Sequence, residues 1–364
     1  MASEIPGLAE IRTVTDMTKA FRDEEQCRRL LEAMVWPGGR ICPGCGCRRS
    51  IALAGRELGR RARPGLYQCS NPVCRLQFTV TTRTPLHGTK LPLRTWLTGA
   101  WFILQSDKGI SSIRLAEALG VSQPTAWRMG HALRLLMARD HPLSGTVEID
   151  EFHFGGKPRR DADRPRLGRG RKGQPRTDKT PALAIVQRPA SLEEGAPAGE
   201  ARAAVVADLS QAEAELVLEA AIDPGAHLMS DEWKAFMSIG AAFAAHDTVR
   251  HSQREYVRGE AHANSAEGFN DRVRRTVAGV FHHISPEHAD LYFHEIGFRW
   301  SQRTVAGQAE RQNRKGKKVA RTLWVRTAPA MQLPSAFRHA VGRQMRRTKN
   351  GGFKLVSNVA LFGS

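Results

Sequence analysis

This chain is short of acid relative to base. Its 364 residues carry 36 Asp and Glu against 55 Lys and Arg, a net charge of +19 and a pI near 10.4. A shortage of that size bears on partners, and nucleic acid is the partner it fits best. Long apolar runs are missing as well: none reaches the roughly 18 residues that span a bilayer. No basic amphipathic helix has a clear lipid-facing side, so a membrane is not an expected partner. The first residues, MASEIPGLAE, have neither a basic head nor an apolar core. They do not read as a signal peptide, and the expected location is the cytoplasm. Cysteine is scarce: there are six, five of them between Cys42 and Cys74. That is too few and too clustered for a disulfide framework, and it points to metal. Hydrophobic content of 41% is ordinary, and the length suffices for two or three domains.

Residues 1–38 form an N-terminal helical segment. Within it MTKAFRDEEQCRRLLEAMV (17–35) reads as one helix with Phe21, Leu30, Leu31 and Met34 as its apolar stripe and Cys27 packed. WPGG ends it. Residues 39–90 hold two pairs, Cys42-x2-Cys45 and Cys69-x4-Cys74, with 23 residues between them. Each pair sits beside Gly or Pro, where a tight turn aims two thiolates inward at a tetrahedral zinc. The expectation is a zinc ribbon holding one structural Zn2+, with Cys47 a spare able to replace Cys45. Residues 91–140 read as an apolar helix at 91–105 and then SSIRLAEALGVSQPTAWRMGHALRLLM, a helix, a Gly-Val-Ser turn and a second helix. Gly120 stops the first; Ser122 caps the second, with Pro124 in its first turn. This is a helix-turn-helix pattern whose second helix presents Gln123, Thr125 and Arg128 to DNA.

From residue 145 the pattern changes. Strand-like runs at 145–154, 181–187 and 202–208 precede a helix opened by a Ser210/Glu213 capping box, and HLMS (227–230) is a short fourth strand. Residues 145–303 therefore read as a mixed α/β domain, a sheet flanked by helices, in a multidomain α/β protein. Between its first two strands, the loop 157–179 has ten basic residues against three acids, and Arg169, Arg171 and Lys172 are its candidate phosphate contacts. From Arg303 to the end, fourteen Lys and Arg face one acid, Glu310, so 304–364 reads as a basic C-terminal tail that meets nucleic acid.

Against this background, acids at the centre of the strand TVEIDEFHFGGK (146–157) need an explanation, because a buried unpaired carboxylate is costly. Asp150 lies on the first strand of the domain and Asp231 just after the fourth. Glu267, with 35 residues between it and Asp231, lies on a helix whose Phe269, Val273 and Val277 face the core; Asp271 and Arg274 share its accessible side, and Arg274 and Arg275 are candidate DNA contacts. Acids in that order make an RNase H-like nucleotidyl-transfer site. Two Mg2+ or Mn2+ ions need hard, bridging oxygen donors, and together they activate an attacking oxygen and stabilise the departing one. The metals compensate the strand's acids, and Gly155-Gly156 leaves room for DNA. Alternatives stay open. Glu148 and Glu151 rival Asp150. Asp231 is also a candidate helix cap. Glu267 is also a capping-box partner for Asn264, with Asp271 then the ligand.

Taken together, the motifs resemble bacterial insertion-sequence transposases that join an N-terminal zinc ribbon, a helix-turn-helix and a DDE (RNase H-like) catalytic domain. The resemblance spans about residues 17–303. Its carriers are WPGGRICPGCG, YQCSNPVCRLQFTVTTRTPLHGTKLPLRTW, GVSQPTAWRM, VEIDEFHFGGK, SDEWKAF and HANSAEGF followed by HHISPEHADLYFHEIGFRW. It implies that Asp150, Asp231 and Glu267 are the catalytic, metal-binding triad and that Cys42, Cys45, Cys69 and Cys74 hold zinc. It places His262 and Asn264 at the flank of the active site. It implies cleavage at terminal inverted repeats of double-stranded DNA and joining of the 3′-hydroxyl to target DNA, by a homo-oligomer in the synaptic complex. The chain departs from the group after the third acid, reading Glu267-Gly268-Phe269-Asn270-Asp271 where Glu-x-Phe-Trp-Ser is usual. The other function class open to this sequence is a non-catalytic DNA-binding regulator derived from such an enzyme.

Overall fold

A computed structural model describes residues 5–53, 64–155, 179–232, 234–249, 253, 255, 257–259, 261–312, 316, 318–349 and 353–357. The chain divides into two compact units, residues 1–138 with 326–364, and residues 139–325.

The first unit opens with two helices, α1 (Val14–Ala20) and α2 (Glu24–Val35), where the apolar stripe had suggested one. The break has a local cause: Asp23 accepts from the Gln26 amide at 2.8 Å, which starts a fresh helix at the cost of continuing the old one. Three short antiparallel strands follow, β1 (Ser50–Ala52), β2 (Tyr67–Cys69) and β3 (Gln77–Phe78). Edge-on contacts of Trp36 with Tyr67 and Phe78, at 5.8 and 6.0 Å between ring centroids, fasten this ribbon to the end of α2. Next is α3 (Leu93–Gln105), whose first amides, of Leu93 and Arg94, are capped by Glu24 of α2. Two helices complete the segment, α4 (Ser112–Leu119) and α5 (Gln123–Leu136). Gly120 adopts φ +64° between them, the left-handed stop that a side chain resists.

The second unit is built on one mixed sheet. Its elements in chain order are β4 (Thr146–Phe154), β5 (Thr180–Gln187), β6 (Ala201–Val205), α6 (Gln211–Ala221), β7 (His227–Ser230), α7 (Lys234–Ile239), β8 (Ala245–Thr248), α8 (Asn264–Thr276) and α9 (Pro286–Ser301). A hairpin of β9 (Arg303–Gln312) and β10 (Lys318–Arg326) closes it. The strand order is β6-β5-β4-β7-β8, with β4, β5 and β6 antiparallel and β7 and β8 parallel to β4. Alternation along β4 sends Val147 and Ile149 into a core with Leu218 and Phe236 on one face of the sheet. On the other face Phe152 and Phe154 pack with Phe269, Val273 and Phe293 of α8 and α9. Alanines at 182, 184, 201 and 203 on β5 and β6 let those two helices approach closely.

The residues beyond Arg326 return to the first unit and form α10 (Pro329–Phe337), then the antiparallel pair β11 (Arg343–Arg347) and β12 (Phe353–Ser357). The basic tail expected over 304–364 contains these elements among its described residues. Ala330, Leu333 and Phe337 are spaced for one helical face and are buried. Arg326 anchors the return by donating to the Gln105 carbonyl at 2.8 Å and to Asp107 at 2.7 Å.

Candidate catalytic site and zinc centre

Glu148 and Asp150 share the face of β4 that meets α8, and their surroundings differ sharply. Glu148 is fully buried. Arg188 Nε donates to its Oε1 at 2.6 Å, and the amides of Ser265 and Ala266 donate to Oε2 at 2.6 and 3.1 Å. Arg188 also reaches His262, with Nη2 2.8 Å from Nδ1 and 3.0 Å from the carbonyl oxygen. Burial pushes the Glu148 carboxyl up, but His262, Arg188 and the Ala266 amide outweigh it and hold it below the usual carboxylate range. Its oxygens are occupied. Glu148 is the cap of α8, supplied from the neighbouring strand, and the capping box pictured for Asn264 does not form: Asn264 is an exposed first residue of the helix.

Asp150 is only half-buried, and Asn270 Nδ2 donates to its Oδ2 at 2.6 Å. The parallel register pairs Thr146 with His227 and Glu148 with Met229. Carried on by two residues, the same offset sets Asp231 level with Asp150. Carboxylate oxygens of Asp150, Glu151 and Asp231 all lie within 4.8 Å of one another. Burial, then the charges of Glu151 and Asp231, push the Asp150 carboxyl up to about 7; Glu267 adds to the rise, and the Asn270 hydrogen bond opposes it. Crowded carboxylates that repel one another, all hard oxygen donors, are the donor set a divalent cation fits.

The three acids singled out from the sequence are thus not brought together equally. Glu267 stands exposed on α8, near enough for its charge to act on Asp150, while Glu151 occupies the close group. Asp271 is in an ion pair with Arg275 one turn on. Arg274 is exposed in the same turn. Asn270 is a site residue that sequence reasoning passed over, although it falls where the chain leaves the usual third-acid pattern. The residue is 1% exposed and its side-chain amide is turned to the strand, at i+3 from Glu267. Gly155, at φ +105°, turns the chain away at the end of β4. Gly156, Arg169, Arg171 and Lys172 lie outside the described residues.

In the ribbon, Cys42, Cys45, Cys69 and Cys74 form one cluster with sulfurs within 4.8 Å of one another. Cys42 Sγ lies 3.8 Å from Cys74 Sγ, and Cys45 Sγ lies 3.5 Å from Cys69 Sγ. Thiolates placed tetrahedrally about 2.3 Å from zinc have sulfur–sulfur edges of about 3.8 Å, so the spacing suits that ion. The amides of Gly44 and Asn71 donate to Cys42 and Cys69 at 3.3 and 3.4 Å, which offsets thiolate charge. Cys47 sits outside the cluster beside Arg49. Cys27 is buried in α2, and burial pushes its thiol up to about 12, the mark of an inert packing residue.

On the helix-turn-helix, Arg128 and Gln123 are exposed and Thr125 is half-buried. Gln123 is tied to Ser112 of α4 at 2.8 Å. Ser122 precedes α5 as expected, but its hydroxyl is spent on Thr125 at 2.9 Å and makes no bond to the helix amides. Among the described residues, no helix is long and apolar enough to cross a membrane.

Residues 142–301 match the family described as ISXO2-like transposase domain, and residues 22–77 match the transposase zinc-ribbon domain; together the matches span more than half of the chain. With the observed strand order, the first match makes the sheet domain an RNase H-like fold. An uncharacterized protein in transposable element ISH50 of Halobacterium salinarum is 27% identical over 267 residues, covering 71% of this chain and 84% of that protein.

Proposed function

Starting from a chain with the zinc-ribbon and DDE domains of an insertion-sequence transposase in order, we propose that it cuts DNA at terminal inverted repeats and joins the freed 3′-hydroxyl to target DNA. The observation that carries this reading is the convergence of Asp150, Glu151 and Asp231 within 4.8 Å at the centre of the mixed sheet. The residues that would hold two Mg2+ or Mn2+ ions are Asp150, Asp231 and Glu267, with Glu151 adjacent. Bound there, such ions supply charge for the attacking and departing oxygens of an in-line displacement at phosphorus.

The chain's own residues prepare the site. Asn270 holds one oxygen of Asp150 and so fixes the plane of its carboxylate. Glu148 ties the first turn of α8 to β4, which sets Glu267 on the accessible side next to Asp150. The zinc ribbon and helix-turn-helix, with Gln123, Thr125 and Arg128 on the second helix, recognise the element ends. Arg169, Arg171, Lys172, Arg274 and Arg275 contact phosphates near the site, and His262 and Asn264 border it. The working form is a homo-oligomer bridging two ends in the bacterial cytoplasm.

The test is strand transfer with duplexes carrying the ends of the element that encodes this chain, in Mg2+ or Mn2+. Asp150→Asn and Asp231→Asn each abolish cleavage and joining and leave duplex binding intact; joining at the wild-type rate by either variant removes the proposal. Glu267→Gln beside Glu151→Gln identifies the third ligand, because the one that matters loses turnover.

A further inference from the structure

The C-terminal ribbon is the feature that neither the acids nor the zinc absorb. Its register runs from Arg343 opposite Ser357 to Arg347 opposite Phe353. A lone two-stranded ribbon is marginal in water, so packing must hold it. Here the packing is against α5: the Phe353 ring lies 5.6 Å from both Trp127 and His131. Met345 of the ribbon lines a groove of about 410 Å3 together with Lys90, Thr125 and Arg128. Two of those three are the residues that the second helix of the helix-turn-helix offers to DNA. Positions on one strand face alternate, so Arg346 points away from the side on which Met345 meets α5, and it is exposed, as is Lys349.

Residues 343–349, RQMRRTK, carry four positive charges and no negative one. Neither strand, RQMRR nor FKLVS, contains an acid to offset that charge, and a polyanion outside the ribbon would. The major groove that admits a helix is walled by two phosphate strands, within reach of whatever flanks that helix.

We propose that the β11–β12 ribbon is a wing of the helix-turn-helix: it grips the phosphate backbone of the duplex whose major groove receives α5, through Arg346 and Lys349. This rests on the reading of the chain as a duplex-DNA binder and goes beyond it by assigning the contact to one ribbon and naming its side chains.

The test uses the full-length, zinc-loaded chain and a duplex selected from a random pool by the wild-type protein. Selection of no duplex would overturn the DNA reading itself. With a selected duplex, the variant Arg346→Ala/Lys349→Ala makes the slope of log affinity against log salt shallower by about two. It also erases phosphate-ethylation interference in one tract beside the α5 footprint and leaves the preferred base sequence unchanged. Arg128→Ala, in contrast, relaxes that preference. A wild-type slope and interference pattern in the double variant overturns the wing, and so does tighter binding, which would make the ribbon a cover over α5. Both replaced side chains are exposed, so the fold is retained, and Arg346→Glu/Lys349→Glu supplies a second series in which the loss must be larger.

Discussion

At the scale of single residues, two neighbouring acids on one strand face have opposite employment. Glu148 is enclosed by Arg188 and the first amides of α8, whereas Asp150 faces Glu151 and Asp231 with a carboxyl raised to about 7. The distinction is testable. Glu148→Gln keeps the shape but leaves the Arg188 guanidinium without its carboxylate, and breaking a buried ion pair costs about 3–5 kcal/mol. The expected result is loss of stability of that order in denaturant titration, with faster hydrogen exchange at the Ser265 and Ala266 amides. Wild-type protection at those two amides would show that Glu148 does not cap α8. Asp150→Asn, which relieves repulsion, should leave both amides as they are.

Elements add constraints that no side chain supplies alone. Gly297 of α9 lies where a Cβ would meet the carbonyl oxygen of Ala201 at 2.2 Å, so the helix and β6 touch backbone to backbone. Gly297→Ala forces them apart and should destabilise the sheet domain by about 1–3 kcal/mol in chemical denaturation. Gly279→Ala, with no atom within 4 Å of the added carbon, is the control and should be close to neutral. The four-cysteine cluster of the β1-β2-β3 ribbon is arranged to hold a metal ion. One zinc per chain is expected by elemental analysis, lost in Cys74→Ser together with the β1-β2-β3 structure and retained in Cys47→Ser. Retention of zinc by Cys74→Ser and its loss from Cys47→Ser would exchange the ligands. These elements differ in how plainly the sequence announces them. Paired cysteine spacing, the Gly-Val-Ser turn and the alternation of β4 are local signals, and the corresponding elements lie within a residue or two of expectation. The break at Asp23 has a local cause that the apolar stripe hides, and the capping of α8 by Glu148 is not local. A stripe of apolar residues continues across the first, and the second needs a carboxylate from more than a hundred residues upstream.

For the whole molecule, the sign of the charge was legible and its placement was not. The chain has +19 to distribute, and the stretch after Arg303 reads as a basic tail. Its apolar positions instead make α10 and return the ribbon to α5, because a few well-spaced residues such as Leu333 and Phe337 suffice to bury one helical face even in a strongly basic segment. The order of acids along the chain was enough to place Asp150 and Asp231 side by side, since the parallel register of β4 and β7 follows from the sheet topology. It was not enough to rank Glu267 against Glu151, because that depends on how far α8 leans over the end of the strand. The most direct measurement of the central claim is therefore the location of bound cations. In a crystal of the full chain soaked with Mn2+, anomalous scattering should give a peak between the carboxylates of Asp150 and Asp231, with Glu267 or Glu151 as a further ligand. A map with Mn2+ peaks elsewhere and none between those two carboxylates would contradict it.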